Sequence, residues 1–157
     1  LVGCHTRSRG GMAACMLRLP STRREEARVR ACARELLELL GIGALADEDA
    51  AALAFGQQRA VELARALACQ PRLLLLDEPA AGLNMRETAA LAATVRAIRD
   101  RGITVLVVEH DMSLIMDVSD EIMVLNFGRR IAEGTPAQIQ RDPEVIRVYL
   151  GDDHAAG

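Results

Sequence analysis

The segment Leu73–Asn84 reads LLLLDEPAAGLN, and it decides how the chain folds. A short apolar run that a breaker closes is typical of a fully buried strand in a parallel sheet. Because Pro79 has no N–H for a sheet ladder, the strand is predicted to stop at Asp77 and Glu78. The two acids are therefore expected at the carboxyl end of a strand, where open α/β sheets bind ligands. Burying both without partners would cost free energy, so cationic or hydrogen-bonding groups should meet them.

A second apolar run, ITVLVV at Ile103–Val108, is predicted to be another buried parallel strand. Between the two runs, Asn84 and Glu87 have the spacing of a helix-capping box, and Gly102 closes the helical pattern that follows. Strand, helix and strand in this order predict one right-handed βαβ unit. His110 comes directly after the second strand, so we expect it at the same edge of the sheet as the two acids.

Two helices are predicted before the first strand. Thr22 and Glu25 form a capping-box pattern ahead of an apolar stripe, and Gly41 ends that helix. A second helix is predicted to start just after Gly56 and to run over 57–68, with its free N–H groups and positive dipole end pointing outward. Such a helix start can bind an anion, but taken alone this segment is more simply an ordinary core helix.

The rest of the chain predicts smaller elements. A short helix over 111–118, a hairpin around Phe127-Gly128 and two short helices after Pro136 follow the second strand. The expected fold class is α/β, with a parallel-sheet core. The expected division is a helical portion over 1–70, an α/β core over 71–150 and a tail over 151–157.

Composition disfavours several classes of function. A net charge of −3 gives no basic footprint for nucleic acid. No apolar stretch approaches the roughly 18–20 residues that span a bilayer, so a membrane role would require partners. The four cysteines and three histidines are dispersed, with no C-x-x-C spacing. Reduced thiols of a cytosolic protein are therefore expected, rather than disulfides or a zinc site.

Four short motifs resemble the landmarks of ATP-binding cassette (ABC) ATPases. In chain order they are LAFGQ at Leu53–Gln57, LLLLDEP at Leu73–Pro79, AGLN at Ala81–Asn84 and EHD around His110. They are similar to the signature motif, the Walker B segment, the D-loop and the switch histidine. Each motif alone is weak, but four in the family's order identify the chain as the C-terminal part of an ABC-type P-loop ATPase domain. The wording LAFGQQR, IAEGTP and DPEVIRVYLG is most similar to the ATP-binding subunits of branched-chain amino-acid importers.

The resemblance implies a role for each site residue. Asp77 would hold Mg²⁺, largely through water, and Glu78 would polarise the water that attacks the γ-phosphate of ATP. His110 would contact that phosphate. Gly82 and Asn84 would lie across the seam of an ATPase dimer. The signature loop would cap the γ-phosphate of ATP held by the second ATPase subunit; its residues are Leu53, Ala54, Phe55, Gly56 and Gln57.

Two features depart from the family pattern. Ala54 and Phe55 replace the usual Ser and first Gly of the signature, so phosphate contact there must rely on backbone N–H groups. No G-x-x-x-x-G-K-[ST] segment occurs, and the chain has no lysine, so the phosphate lysine and the Mg²⁺ hydroxyl are missing. We therefore expect the chain to hydrolyse no ATP by itself. We also expect exposed apolar surface beside Leu73–Leu76, and hence association.

Three functions are consistent with the sequence. The leading one is a fragment of an ATPase subunit that energises an importer of branched-chain amino acids. It implies a cytoplasmic, peripheral location on the inner face of the membrane, with a second ATPase subunit, permease subunits and, indirectly, a substrate-binding protein as partners. A soluble ABC ATPase of DNA repair or translation is less favoured, since basic stripes and coiled-coil heptads are absent. A non-catalytic module that offers only its signature loop to a partner's ATP is the third.

Overall fold

The computed structural model describes residues 20–150, with side chains for 23–149. The chain separates into two compact units, Leu1–Val108 and Glu109–Gly157. The expected boundary after residue 70 falls inside the first unit, and the three-segment division stays a prediction. The predicted tail over 151–157 lies outside the described residues.

Helices open the first unit. Helix α1 spans Pro20–Leu39 and helix α2 spans Phe55–Ala68, with 3₁₀ turns at Gly43–Leu45 and Ala50–Ala52 between them. Gly41 has a φ of 70°, and the Ile42 N–H donates to the Leu37 carbonyl at 2.9 Å, which is how a left-handed glycine ends a helix. Both helices begin earlier than predicted. Thr22 therefore lies in the first turn of α1. Pro20, the first residue of this helix, is of a type that suits a helix start.

The predicted order of strand, helix and parallel strand is confirmed. Strand β1 spans Leu73–Asp77, helix α3 spans Met85–Asp100 and strand β2 spans Thr104–Val108. The strands are parallel, with Leu73 opposite Thr104 and Asp77 opposite Val108. The register therefore brings the carboxyl ends of both strands to the same edge of the sheet, where Asp77 is the last residue of β1.

One apolar core joins the helices to one face of this sheet. Leu63 and Leu67 of α2 meet Leu74 of β1 and Ile98 of α3, whose side chain is fully buried. Partly buried residues surround this cluster: Leu36, Leu39, Leu40, Ala66, Leu76, Ile103 and Val105. Because α2 and β1 share these contacts, the signature helix and the strand with the acids are held as one body.

The opposite face of the sheet is bare. Leu73, Leu75, Leu106 and Val108 are 51%, 65%, 56% and 58% exposed. The prediction that both strands are buried is therefore wrong for this face, because this sheet of the described residues has two strands and helical packing on one side. The predicted exposed apolar surface is present. Alternate residues of a strand face opposite sides of the sheet, and this accounts for the split.

The second unit is a hairpin with short helices. Helix α4 spans Met112–Val118, and strands β3 (Ile122–Asn126) and β4 (Arg129–Gly134) are antiparallel. Phe127 and Gly128 both have positive φ, 47° and 74°, as a tight two-residue hairpin turn requires. The closing helices are α5 at Pro136–Ile139 and α6 at Pro143–Val145, with a π-helical turn at Ile146–Leu150. Within residues 20–150, no helix has the length and apolarity to cross a membrane.

Candidate functional site

Asp77 and Glu78 lie where β1 ends. Both residues are exposed, so the carboxylates avoid the cost of burial. The Glu78 N–H donates to the carbonyl of Val108 at 2.8 Å, and its carbonyl accepts from the Ala81 N–H at 3.1 Å. The chain thus turns sharply at Glu78, directly beside the end of β2.

Glu78 has a left-handed backbone, with a φ of 43°. This conformation costs an L-residue about 1–2 kcal/mol relative to the right-handed regions. Such strain persists where surrounding contacts enforce it, and it concentrates at functional sites. Here the two backbone hydrogen bonds of Glu78 enforce it.

The start of helix α2 carries the signature loop, Leu53–Gln57. Ala54 is the N-cap residue, and no side chain caps the helix from that position. The Gln57 side chain accepts a hydrogen bond from the Ala54 N–H at 3.0 Å, and the Gln58 side chain donates to the Leu53 carbonyl at 3.0 Å. Gly56 lies inside the first turn, because the helix starts at Phe55 and not after Gly56 as predicted. An uncapped helix start of this kind presents backbone donors and positive potential to an anion.

The D-loop, Ala81–Asn84, leads into helix α3. The Asn84 Oδ1 accepts from the Arg86 and Glu87 N–H groups at 3.0 and 3.1 Å, and the Glu87 carboxylate accepts from the Asn84 N–H at 2.9 Å. The predicted capping box is therefore confirmed. Gly82 has a φ of 78°, a conformation that favours glycine.

The structure brings the signature loop against the D-loop. A Cβ built on Gly82 would lie 3.0 Å from Cε1 of Phe55, and one built on Gly56 would lie 2.7 Å from Oε1 of Glu87. Gly82 of the D-loop therefore meets a side chain of the signature loop, and Gly56 of the signature loop meets a side chain from the first turn of α3. Sequence reasoning missed both contacts, although the glycines themselves were a visible signal.

A cavity of about 400 Å³ adjoins these motifs in the first unit. Its lining includes Gln57 of the signature loop, Asp77 of β1, Leu83 of the D-loop and Glu87 of α3. Three of the four predicted motifs therefore border one cavity, and its volume falls within the range of small-molecule sites.

His110 lies in the second unit, two residues beyond β2. Its side chain is 74% exposed, whereas that of the preceding Glu109 is 1% exposed. The Glu109 Oε2 accepts from the His110 and Asp111 N–H groups at 3.0 and 3.4 Å and lies 3.8 Å from the imidazole Nδ1. Sequence reasoning missed Glu109. Its buried carboxylate shapes the turn that presents the histidine.

The donor set suits Mg²⁺ only in the company of a phosphate ligand. Across residues 20–150, no three His, Cys, Asp or Glu side chains cluster as metal ligands. Mg²⁺ usually takes one or two carboxylates and completes its shell with water and phosphate oxygens. An exposed Asp77 carboxylate fits that pattern.

The fold and the motif order are those of an ATP-binding cassette domain. A family model described as "ABC transporter" matches residues 6–81, and one described as "Branched-chain amino acid ATP-binding cassette transporter" matches residues 129–155. The chain belongs to the ATP-binding cassette family.

Individual relatives agree with this assignment. The high-affinity branched-chain amino acid transport ATP-binding proteins BraF of Pseudomonas aeruginosa and LivG of Escherichia coli K12 are each 43% identical to the chain over 153 residues, 97% of this chain. A crystal structure of an ATP-binding cassette of an ABC transporter in its ADP conformation superposes with a TM-score of 0.71 at 31% identity, covering 79% of this chain and 50% of that one. The chain spans 60% of the length of BraF and LivG.

Proposed function

We propose that this chain is part of an ATP-hydrolysing subunit that energises an importer of branched-chain amino acids. The single observation that carries the proposal is that the start of α2, the D-loop and Asp77 border one cavity of about 400 Å³. The names of BraF and LivG, and the family match at residues 129–155, support the substrate class.

The carboxylates of Asp77 and Glu78 have different roles at the phosphate. When bound, Mg²⁺ neutralises charge on the phosphate oxygens of ATP. Asp77 offers it a carboxylate oxygen, mostly through water. Glu78, whose strained backbone stands at the end of β1, orients and polarises the attacking water.

The signature loop acts on a second nucleotide. Because Ala54 has no hydroxyl, the backbone N–H groups at the start of α2 supply the donors for the γ-phosphate of ATP on a second ATPase subunit. Gly82 and Asn84 lie at the seam between the subunits. His110 contacts the γ-phosphate, and Glu109 fixes the turn from which it does so.

The remaining partners follow from this role. Permease subunits receive the conformational change through the helical part of the first unit, and a substrate-binding protein acts indirectly. The protein resides in the cytoplasm, peripherally on the inner face of the membrane. The net charge of −3 is consistent with the absence of a nucleic-acid partner.

A second candidate is a non-catalytic module that offers only its signature loop to a partner's ATP. The 157 residues contain neither lysine nor a G-x-x-x-x-G-K-[ST] segment, and this favours it for the chain acting alone. Phosphate release from the purified chain with ATP and Mg²⁺ tests this second candidate. Steady release that Glu78→Gln abolishes would rule out the module, whereas no release above buffer is the result we expect of the chain alone.

The phosphate-binding role of α2 has a direct test in ATP-dependent capture by full-length LivG of E. coli. Ala54→Asp places a carboxylate at the N-cap, so it stabilises the helix by about 1 kcal/mol and repels phosphate. Ala54→Ser caps the same helix without charge and is the matched control. We expect Ala54→Asp to lose ATP-dependent capture and Ala54→Ser to keep it. Equal capture of both variants would contradict the proposal.

A further inference from the structure

The ring of Phe55 lies against the D-loop. Three ring carbons, Cε1, Cζ and Cδ1, lie 3.0, 3.6 and 3.7 Å from the position that a Cβ on Gly82 would occupy. Phe55 is nevertheless 51% exposed, so the contact leaves about half of the residue's surface open to solvent. An aromatic side chain at the first residue of α2 therefore touches the loop at its one left-handed glycine.

A cation lies over the same ring. The Arg59 guanidinium carbon is 5.3 Å from the ring centroid, one helical turn after Phe55, and Arg59 also pairs with Glu62 at 3.0 Å. A guanidinium at this distance attracts an aromatic face. The ring is thus held from α2 while it contacts Gly82.

A second contact joins the same two segments. One oxygen of the Glu87 carboxylate accepts from the Asn84 N–H at 2.9 Å, and the other approaches Gly56. The capping box at the start of α3 therefore also touches the first turn of α2. Any side chain at Gly56 would displace Glu87 from the contact.

We propose that Phe55 is a positioning residue that holds the D-loop against the start of α2, so that the two segments move as one unit. The inference deepens the proposed function, because both segments meet a nucleotide at the subunit seam. An aromatic ring at this position covers the D-loop from within the same subunit. The small residue of the usual signature is too short to do so.

The alternative is that the D-loop holds itself. The Ala81 N–H donates to the Glu78 carbonyl at 3.1 Å and the Leu83 N–H to the Ala80 carbonyl at 3.0 Å, and these bonds do not involve Phe55. Hydrogen exchange of the amides over 81–84 in the purified chain decides between the two. We expect Phe55→Ala to raise their exchange about fivefold, within the range typical of contacting residues. Phe55→Tyr should restore protection, since it keeps the ring.

The contact itself is tested by a double-mutant cycle. Gly82→Ala places a methyl group against the ring, whereas Gly102→Ala, at a φ of 82° with no atom within 4 Å, meets only the backbone cost. That cost corresponds to about a tenfold shift in the local opening equilibrium. In the native background, we expect Gly82→Ala to shift the opening equilibrium by more than this tenfold backbone cost. In the Phe55→Ala background, we expect its shift to equal the backbone cost. An excess that Phe55→Ala leaves unchanged would overturn the proposal.

A fluorine spectrum reports the ring directly. The chain has two phenylalanines, Phe55 and Phe127, so 4-fluorophenylalanine labelling gives two ¹⁹F resonances. Phe127 is 98% exposed and serves as the internal control. We expect Gly82→Ala to move the Phe55 resonance and leave the other in place. A Phe55 resonance that does not respond would contradict the contact.

Failure of this inference is distinguishable from failure of the proposed function. The exchange and fluorine measurements use no nucleotide, so they address the Phe55 contact alone. ATP-dependent capture by LivG addresses the function alone. An intact contact with no capture would refute the function, and capture without the contact would refute the inference.

Discussion

Removing the cap of helix α3 tests how the D-loop is anchored. Asn84→Ala deletes the acceptor for two backbone N–H groups, those of Arg86 and Glu87, which it bonds at 3.0 and 3.1 Å. Replacing such an N-cap by alanine costs about 1 kcal/mol, within a range of about 0.5–2 kcal/mol. Water reaches these exposed groups, so we expect the centre of that range and not its upper end.

The assay is urea denaturation followed by circular dichroism. The free energy of unfolding of a small protein falls by about 1–3 kcal/mol per M of urea. A variant that loses about 1 kcal/mol of this free energy therefore unfolds at a midpoint about 0.3–1 M lower. Asn84→Ser is the matched control, because serine caps a helix as well as asparagine does. It should change the midpoint by less than about 0.2 M.

The reciprocal bond makes the cap a coupled pair. Glu87 returns a hydrogen bond to the Asn84 N–H at 2.9 Å, so Glu87→Ala and Asn84→Ala should be non-additive by about 0.5 kcal/mol or more. Strict additivity, or a loss for Asn84→Ser as large as that for Asn84→Ala, would refute the reasoning.

Three further outcomes follow from the structure. Gln70 has a φ of 50°, so Gln70→Gly should raise the free energy of unfolding by about 1 kcal/mol; an unchanged urea midpoint would contradict this. Leu75→Glu should reduce association in light scattering, because Leu75 is 65% exposed on the bare face, and a native chain that is already a monodisperse monomer would refute it. Glu109→Ala leaves two backbone donors without their acceptor and should lower thermal stability by about 1–3 kcal/mol, more than Glu109→Gln; equal losses would exclude the hydrogen-bonding role.

Local chemistry made part of the fold predictable. Pro79 ends β1 at the acids, Asn84 caps α3, and Gly41 and Gly102 close their helices, because each effect depends on residues adjacent in sequence. The parallel pairing followed from strand, helix and strand in order.

Long-range packing made the rest unpredictable. Which face of β1 is covered depends on what packs there, so the apolar run of leucines could not reveal that Leu75 is exposed. The contact of Phe55 with Gly82 joins segments that are distant in sequence. Glu109 looked like any acid after a strand, and its burial arises from the turn that it bonds.

Site chemistry was predictable through motif order rather than geometry. The position of Glu78 followed from the end of a strand, but its left-handed backbone depends on the bond to Val108 across the sheet. The uncapped start of α2 was visible in Ala54, since alanine offers no acceptor.

The central claim is that these residues supply the Walker B acids, D-loop and signature loop of a transport ATPase. A chimera tests it most directly: the amino-terminal part of E. coli LivG that this chain does not match, joined to the chain, with ATP hydrolysis as the readout. We predict steady hydrolysis by the folded chimera, and its loss in Glu78→Gln with the fold unchanged. A folded chimera whose hydrolysis does not exceed that of its Glu78→Gln variant would contradict the claim.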